Sequence, residues 1–213
     1  AALPLFLAAF WMYRKERSFF PLPFATALLS GMLSLFPALL LQQPFLSLRG
    51  NTLLFLLFRV FIGIALTEEC GRLVGLGLLH KVAPKLERFR QKSPGAQPFY
   101  YAPFSGLSAG LGFAMLESAS YALNDPSIAL LRAFSAAPLH AACGIRVALA
   151  LDAIKKEPVK AIFLFVSSVF IHGMYNLFIL VPVFPSFFPV VLAFIALFSA
   201  LASLRSKNYS PDA

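Results

Sequence analysis

Apolar runs long enough to cross a bilayer follow one another along nearly the whole chain, with the charge gathered in the short loops between them. A helix needs roughly 20 apolar residues to cross the hydrocarbon layer. Seven such runs are read, at about 1–13, 20–41, 52–79, 99–123, 128–150, 159–181 and 186–204. The first is short and reads as a span rather than as a cleavable leader. The third is long enough to tilt or to leave one end in the interface. The expectation is an all-α polytopic transmembrane helix bundle over residues 1–213, a single membrane domain with no internal repeat.

The loop charges orient this bundle. Arg14, Lys15 and Arg17 follow the first run. Lys81, Lys85, Arg88, Arg90 and Lys92 follow the third, Lys155, Lys156 and Lys160 the fifth, and Arg205 and Lys207 the seventh. The other three loops hold only Arg49. Basic residues retained on the cytoplasmic side put the N-terminus outside and the C-terminus in the cytoplasm. Residues 81–98 then form a basic cytoplasmic loop with an amphipathic turn around Leu86 and Phe89, and 205–213 a cytoplasmic tail. Pro182, Pro185 and Pro189 make a tight outer turn. The net charge of +9 is no sign of a nucleic-acid partner, because it lies between spans rather than on one face. The partners expected are the lipid bilayer and whatever substrate lies in it. Cys70 and Cys143 sit inside apolar runs and read as small packing residues, not a disulfide.

Phe61–Leu79, FIGIALTEECGRLVGLGLL, breaks the apolar rule. Glu68, Glu69 and Arg72 fall in its middle, where each ionisable group costs about 2.5–3.5 kcal/mol on insertion scales. On a helix Glu68 and Arg72 share a face, and Glu69 points roughly 100° away. The reading is a polar site inside the bundle with Arg72 holding a carboxylate; the plainer one is an ion pair that fixes helix register. Later spans add Glu117, Arg132, His140, Arg146, and His172 with Asn176 four residues on. Four consecutive spans thus bring ionisable groups to comparable depth. Gly71 with Gly75, and Gly106 with Gly110, allow close backbone approach. They lead to the expectation that the third and fourth spans cross, carrying Glu117 inward. His80, at a span end, reads as a satisfied core residue. Arg59 and Arg146 either snorkel or pair with Glu69 or Asp152.

A carboxylate and imidazoles can activate water. A His and an Asn on one face can donate to the oxyanion of a tetrahedral intermediate. That is equipment for cutting an amide without a Ser or Cys nucleophile.

Glu68-Glu69-x-x-Arg72, Phe113-x-x-x-Glu117, Arg132…Pro138-x-His140 and His172-Gly-x-Tyr-Asn176, in this order and each in its own span, resemble the PrsW family of intramembrane proteases. Tyr13-Arg-Lys-Glu-Arg17 after the first span fits the same likeness. That family is similar to the type II CAAX prenyl proteases and the bacterial abortive-infection proteins. The resemblance implies a peptidase of the bacterial cytoplasmic membrane whose substrate is a single-span membrane protein, a membrane-bound anti-sigma factor cut first on its outer side. It implies Glu68 or Glu69 as the water-activating base with His140 assisting, and His172 with Asn176 as oxyanion donors. Arg72 stands where that family often has Lys, which keeps charge but not geometry. Glu117 stands where the prenyl proteases have His, which argues against prenylated substrates.

No cofactor is expected on that reading. The alternative is zinc held by members of the set Glu68, Glu69, Glu117, His140 and His172, although no His-Glu-x-x-His helix is present. Gly106-Leu-Ser108-Ala-Gly110 spells a nucleophile elbow and resembles the Gly-x-Ser of rhomboid proteases, but it lacks the strand–turn–helix setting and reads as helix packing. Membrane carboxylates and histidines also build proton-coupled transporters. Against that stands the absence of an inverted repeat.

Overall fold

The structure, a computed structural model, describes residues 21–89, 101–123 and 131–205. Every regular element among them is helical. The first apolar run, the loop from 90 to 98 and the tail beyond Arg205 lie outside the described residues.

α1 (Pro21–Leu33) and α2 (Leu35–Leu46) meet at Ser34. The Ser34 N–H still reaches Ser30 O at 3.0 Å, so the two form one continuous path. α3 (Leu53–Phe58) starts at Thr52, whose hydroxyl accepts the Phe55 N–H at 3.2 Å. The path then widens into a π-helical stretch, Arg59–Leu66, and tightens again into α4 (Thr67–Phe89). Thr67 closes the wide stretch, donating its hydroxyl toward Gly63 O and Ile64 O, both at 2.8 Å. π-helical turns are rare and cluster at functional sites; here the next two residues are Glu68 and Glu69.

α4 does not stop near Leu79 as expected. It continues through Pro84 to Phe89, so the stretch read as the start of a loop is helical. His80 on this extension is exposed, not a core residue.

α5 (Ala102–Ala122) opens with Pro103 in its first turn, and Ser105 Oγ accepts the Tyr101 N–H at 3.1 Å. Helical residues 131–134 break at Ser135 before α6 (Ala136–Ala153). α7 (Pro158–Leu180) and α8 (Phe188–Arg205) are joined by the proline-marked turn at 181–187.

α6 is the axis of the bundle. Every residue from Ala136 to Ala148 is buried. Its alanines and Gly144 leave room for α5, α7 and α8 to close on it, and such small-residue faces drive helix association in lipid. Leu107, Leu111, Ala141, Ile145 and Ala196 make up one shared core of α5, α6 and α8. Large apolar side chains point outward instead, among them Phe36 and Leu40 on α2, Phe163 and Phe170 on α7 and Phe198 on α8.

The glycine pairs pack differently from expectation. A Cβ on Gly71 would meet Ala38 and the Ser34 carbonyl at 2.7 Å, so the α4 pair receives α1–α2. A Cβ on Gly106 would overlap the Gly144 carbonyl, and one on Gly110 the His140 carbonyl, so the α5 pair receives α6. The third and fourth spans do approach each other, but through other residues, with Arg72 on α4 lying over the Phe113 ring on α5.

Arg146 is also explained. Its guanidinium donates to Ala142 O and Ala196 O, both at 3.1 Å, and to Ser199 Oγ at 2.5 Å, pinning α6 to α8 rather than pairing with Glu69 or Asp152. Arg59 is exposed on the π-helical stretch.

Among the described residues, three stretches are long and apolar enough by length and composition to cross a membrane: Leu22–Leu46, Ala136–Ala153 and Pro158–Leu180. Phe188–Ala202 is apolar but shorter. α4 and α5 are diluted by the charged, hydroxyl and glycine residues that build the interior site.

Candidate active site

α4 delivers Glu68 and Glu69 in its first turn, just past the π-helical stretch. Glu69 is fully buried and heavily engaged. It forms an ion pair with Arg72, accepts from His172 Nδ1 at 2.7 Å and accepts from Ser168 Oγ at 2.9 Å. Arg72 therefore holds the carboxylate three residues back, and not Glu68, with which it shares a face by spacing alone.

Arg72 Nη2 donates to His140 Nδ1 at 2.8 Å. A guanidinium has no acceptor, so Nδ1 carries the lone pair and the neutral ring carries its proton on Nε2. That proton is given to Glu117 Oε2 at 2.8 Å. Glu117 Oε2 also meets Arg132 Nη2 at 2.6 Å. Arg132 lies over the Tyr121 ring, 4.3 Å from its centroid, and its Nε donates to Ser118 Oγ at 3.2 Å. Phe113 walls the centre on one side, with the Arg72 guanidinium 4.6 Å from its centroid. The rings of His140 and His172 meet edge to face, their centroids 5.1 Å apart.

Glu68 contrasts with its neighbour. Oε1 accepts from Gln42 Nε2 on α2 at 3.2 Å. Oε2 is buried without a hydrogen-bond partner and lies 3.5 Å from His172 Nε2. With the His172 Nδ1 proton committed to Glu69, Nε2 presents a lone pair whenever the ring is neutral, and in that state two acceptors face one point. The centre approaches the surface on its Glu117 side: the Glu117 and Arg132 side chains are 14% exposed, whereas Glu69 and Arg72 are 0%. Asn176, one turn beyond His172 on α7, is half-buried with its amide uncommitted among the described residues.

Residues 22–201 match the family model described as PrsW family intramembrane metalloprotease. The chain belongs to the PrsW family. It is an intramembrane peptidase and an integral membrane protein. No curated protein and no solved structure matches it.

The family description raises the question of a metal, and the PrsW centre suits one. The facing lone pairs of Glu68 and His172 are zinc's preferred oxygen and imidazole donors. A histidine whose other N–H rests on a carboxylate, as His172 rests on Glu69, is the usual support for a ligand. His140 offers a third donor: ligand atoms of Glu68, His140 and His172 lie within 4.8 Å of one another. Both His140 nitrogens are occupied, however, so it must release Arg72 or Glu117 to bind a metal.

Two partners in the PrsW site went unread in the sequence. Ser168 is one turn before His172, and its place in the series Ser168, His172, Asn176 is a visible signal. Gln42 lies at the end of an apolar run and carries no charge to draw attention. Ser108, the apparent elbow serine, is buried in mid-α5 between the two glycines that receive α6, and its Oγ has no hydrogen-bond partner. Ser108→Ala is expected to keep full cleavage activity, and wild-type protein to resist a fluorophosphonate probe; labelling at Ser108 would reverse that assignment.

Proposed function

We propose that the protein cleaves a peptide bond of a single-span membrane protein in the outer half of the bacterial cytoplasmic membrane, using the centre formed by Glu68, His140 and His172. The observation that carries this reading is the approach of Glu68 Oε2, buried without a hydrogen-bond partner, to His172 Nε2 at 3.5 Å. Glu68, His172 and His140 would hold a zinc-type cation. Such an ion, when bound, supplies Lewis-acid polarisation and lowers the pKa of bound water.

The chain's own residues divide the remaining work. Glu69 has three donors and acts as an anchor, keeping the His172 ring turned so that Nε2 faces the centre. Arg72 balances the buried Glu69 charge and orients His140. Glu117, at the open side, is placed to exchange a proton with the reacting groups and with His140. The Asn176 amide can donate to the substrate's carbonyl oxygen. When the His172 ring is neutral, with its proton on Glu69's side, Nε2 is an acceptor and the oxyanion role falls to Asn176. A second, metal-free reading, with Glu68 as the base acting on water, is favoured by the full occupation of both His140 nitrogens.

The loop charges, read as seven spans with the N-terminus outside, favour an outer location for the cut. Basic loops mark the opposite side. His172 lies eight residues before the end of α7, roughly 12 Å at 1.5 Å per residue. A membrane-bound anti-sigma factor is the substrate to try first, on the family resemblance.

The test is cleavage of a quenched-fluorescent single-span peptide in liposomes by wild type and by His140→Ala and His172→Ala, with and without chelator. Loss with chelator and recovery with zinc is expected. Cleavage indifferent to chelator but lost in both variants would move the mechanism to the metal-free reading. Cleavage retained in both variants would overturn the site.

A further inference from the structure

Glu68 receives one hydrogen bond among the described residues, and it comes from outside the motif-bearing spans. Ser30, Ser34, Ala38 and Gln42 recur every four residues along α1–α2 and so form one helical stripe. The opposing stripe on α4 is Gly75, Gly71 and Glu68. A Cβ on Gly75 would meet Ser30 O and Ser34 Cβ, both at 2.8 Å, and a Cβ on Gly71 would meet Ala38 Cβ at 2.7 Å. The two helices therefore touch along small residues, and the next step of each stripe sets Gln42 against Glu68. Gln42 is half-buried there, while Leu39, Leu40, Leu41 and Gln43 around it are exposed. Its Nε2 donates to Oε1 at 3.2 Å, which leaves Oε2 as the oxygen turned toward His172.

We infer that Gln42 is a positioning residue of the peptidase, fixing the Glu68 carboxylate from the first described span. Its amide holds Oε1, so that Oε2 keeps its aim at His172 Nε2. The role rests on the assignment of Glu68 above, and it is the same whether Oε2 meets a cation or a water. Outer-shell partners of this kind cost about 10–100-fold when removed.

The experiment measures kcat and KM on the quenched-fluorescent peptide in liposomes, with the thermal midpoint, for wild type, Gln42→Leu, Gln42→Met and Glu68→Gln. Met matches the length of Gln but donates nothing. Both Gln42 variants are expected to lose kcat about 10–100-fold, with KM within about twofold and the thermal midpoint unchanged. Wild-type turnover in Gln42→Met would show that the residue only fills space, and would overturn the inference. A raised KM with unchanged kcat would make Gln42 a substrate contact and overturn it equally. Wild-type turnover in Glu68→Gln would instead remove the Glu68 assignment itself, a result separable from either.

Discussion

Glu68→Gln is expected to abolish cleavage while leaving the fold intact, whereas Glu69→Gln is expected to lose both. The two carboxylates are adjacent in sequence, yet they hold opposite positions in the hydrogen-bond network. Glu68 has one weak tie, to Gln42, and an unpartnered oxygen. Replacing that oxygen by an amide removes the reactive acceptor and strands no buried charge. Loss of a general base or of its equivalent lowers turnover by about 10²–10⁴-fold. Glu69 carries Arg72, His172 and Ser168 at once. Neutralising it leaves the Arg72 guanidinium, 0% exposed, without its counter-charge. Breaking a buried pair from one side costs about 3–5 kcal/mol. Turnover and thermal midpoint measured on both variants decide the matter. A Glu69→Gln protein as stable as wild type would refute the anchor role.

The second large effect concerns zinc and can be read without any substrate. A ligand that binds only the folded state stabilises it by about 2.7 kcal/mol at a concentration one hundred times its dissociation constant. Zinc added to chelator-treated protein in detergent is expected to raise the thermal midpoint. His172→Ala and Glu68→Gln are expected to lose that rise, because each removes one of the two facing lone pairs. Arg146→Leu, which unpins α6 from α8 away from the centre, should start lower but keep the zinc-dependent rise. An unchanged midpoint in the wild type across zinc concentrations would favour the metal-free reading.

Much of this molecule could be read from the order of its residues. Apolar run length restricts the spans to helices, and every regular element among the described residues is helical. The expense of charge in hydrocarbon singled out Glu68, Glu69, Arg72, Glu117, His140 and His172. All but Glu68 lie in the network that Arg72 and Glu69 hold together, and Glu68 Oε2 lies 3.5 Å from His172 beside it. Helical spacing alone also aligned His172 with Asn176.

What the order of residues could not decide was pairing. Glu68 and Glu69 differ by one position, and only the packing of α7 against α4 turns Glu69 to Ser168 and His172 while Glu68 is left to Gln42. The glycine pairs announced close approach, but each receives a helix other than the one expected. That choice depends on which faces of α1–α2 and α6 are small enough to receive them. Gln42 is neutral and stands at the end of an apolar run, so its role exists only where two stripes of small residues bring α2 against α4. The reach of α4 through Pro84 was hidden for a similar reason, since a single proline marks a break only on average. Periodicity, length and charge cost are properties of one segment and are legible in it. Which donor meets which acceptor is a property of two or more segments, and here only the tertiary structure decided it.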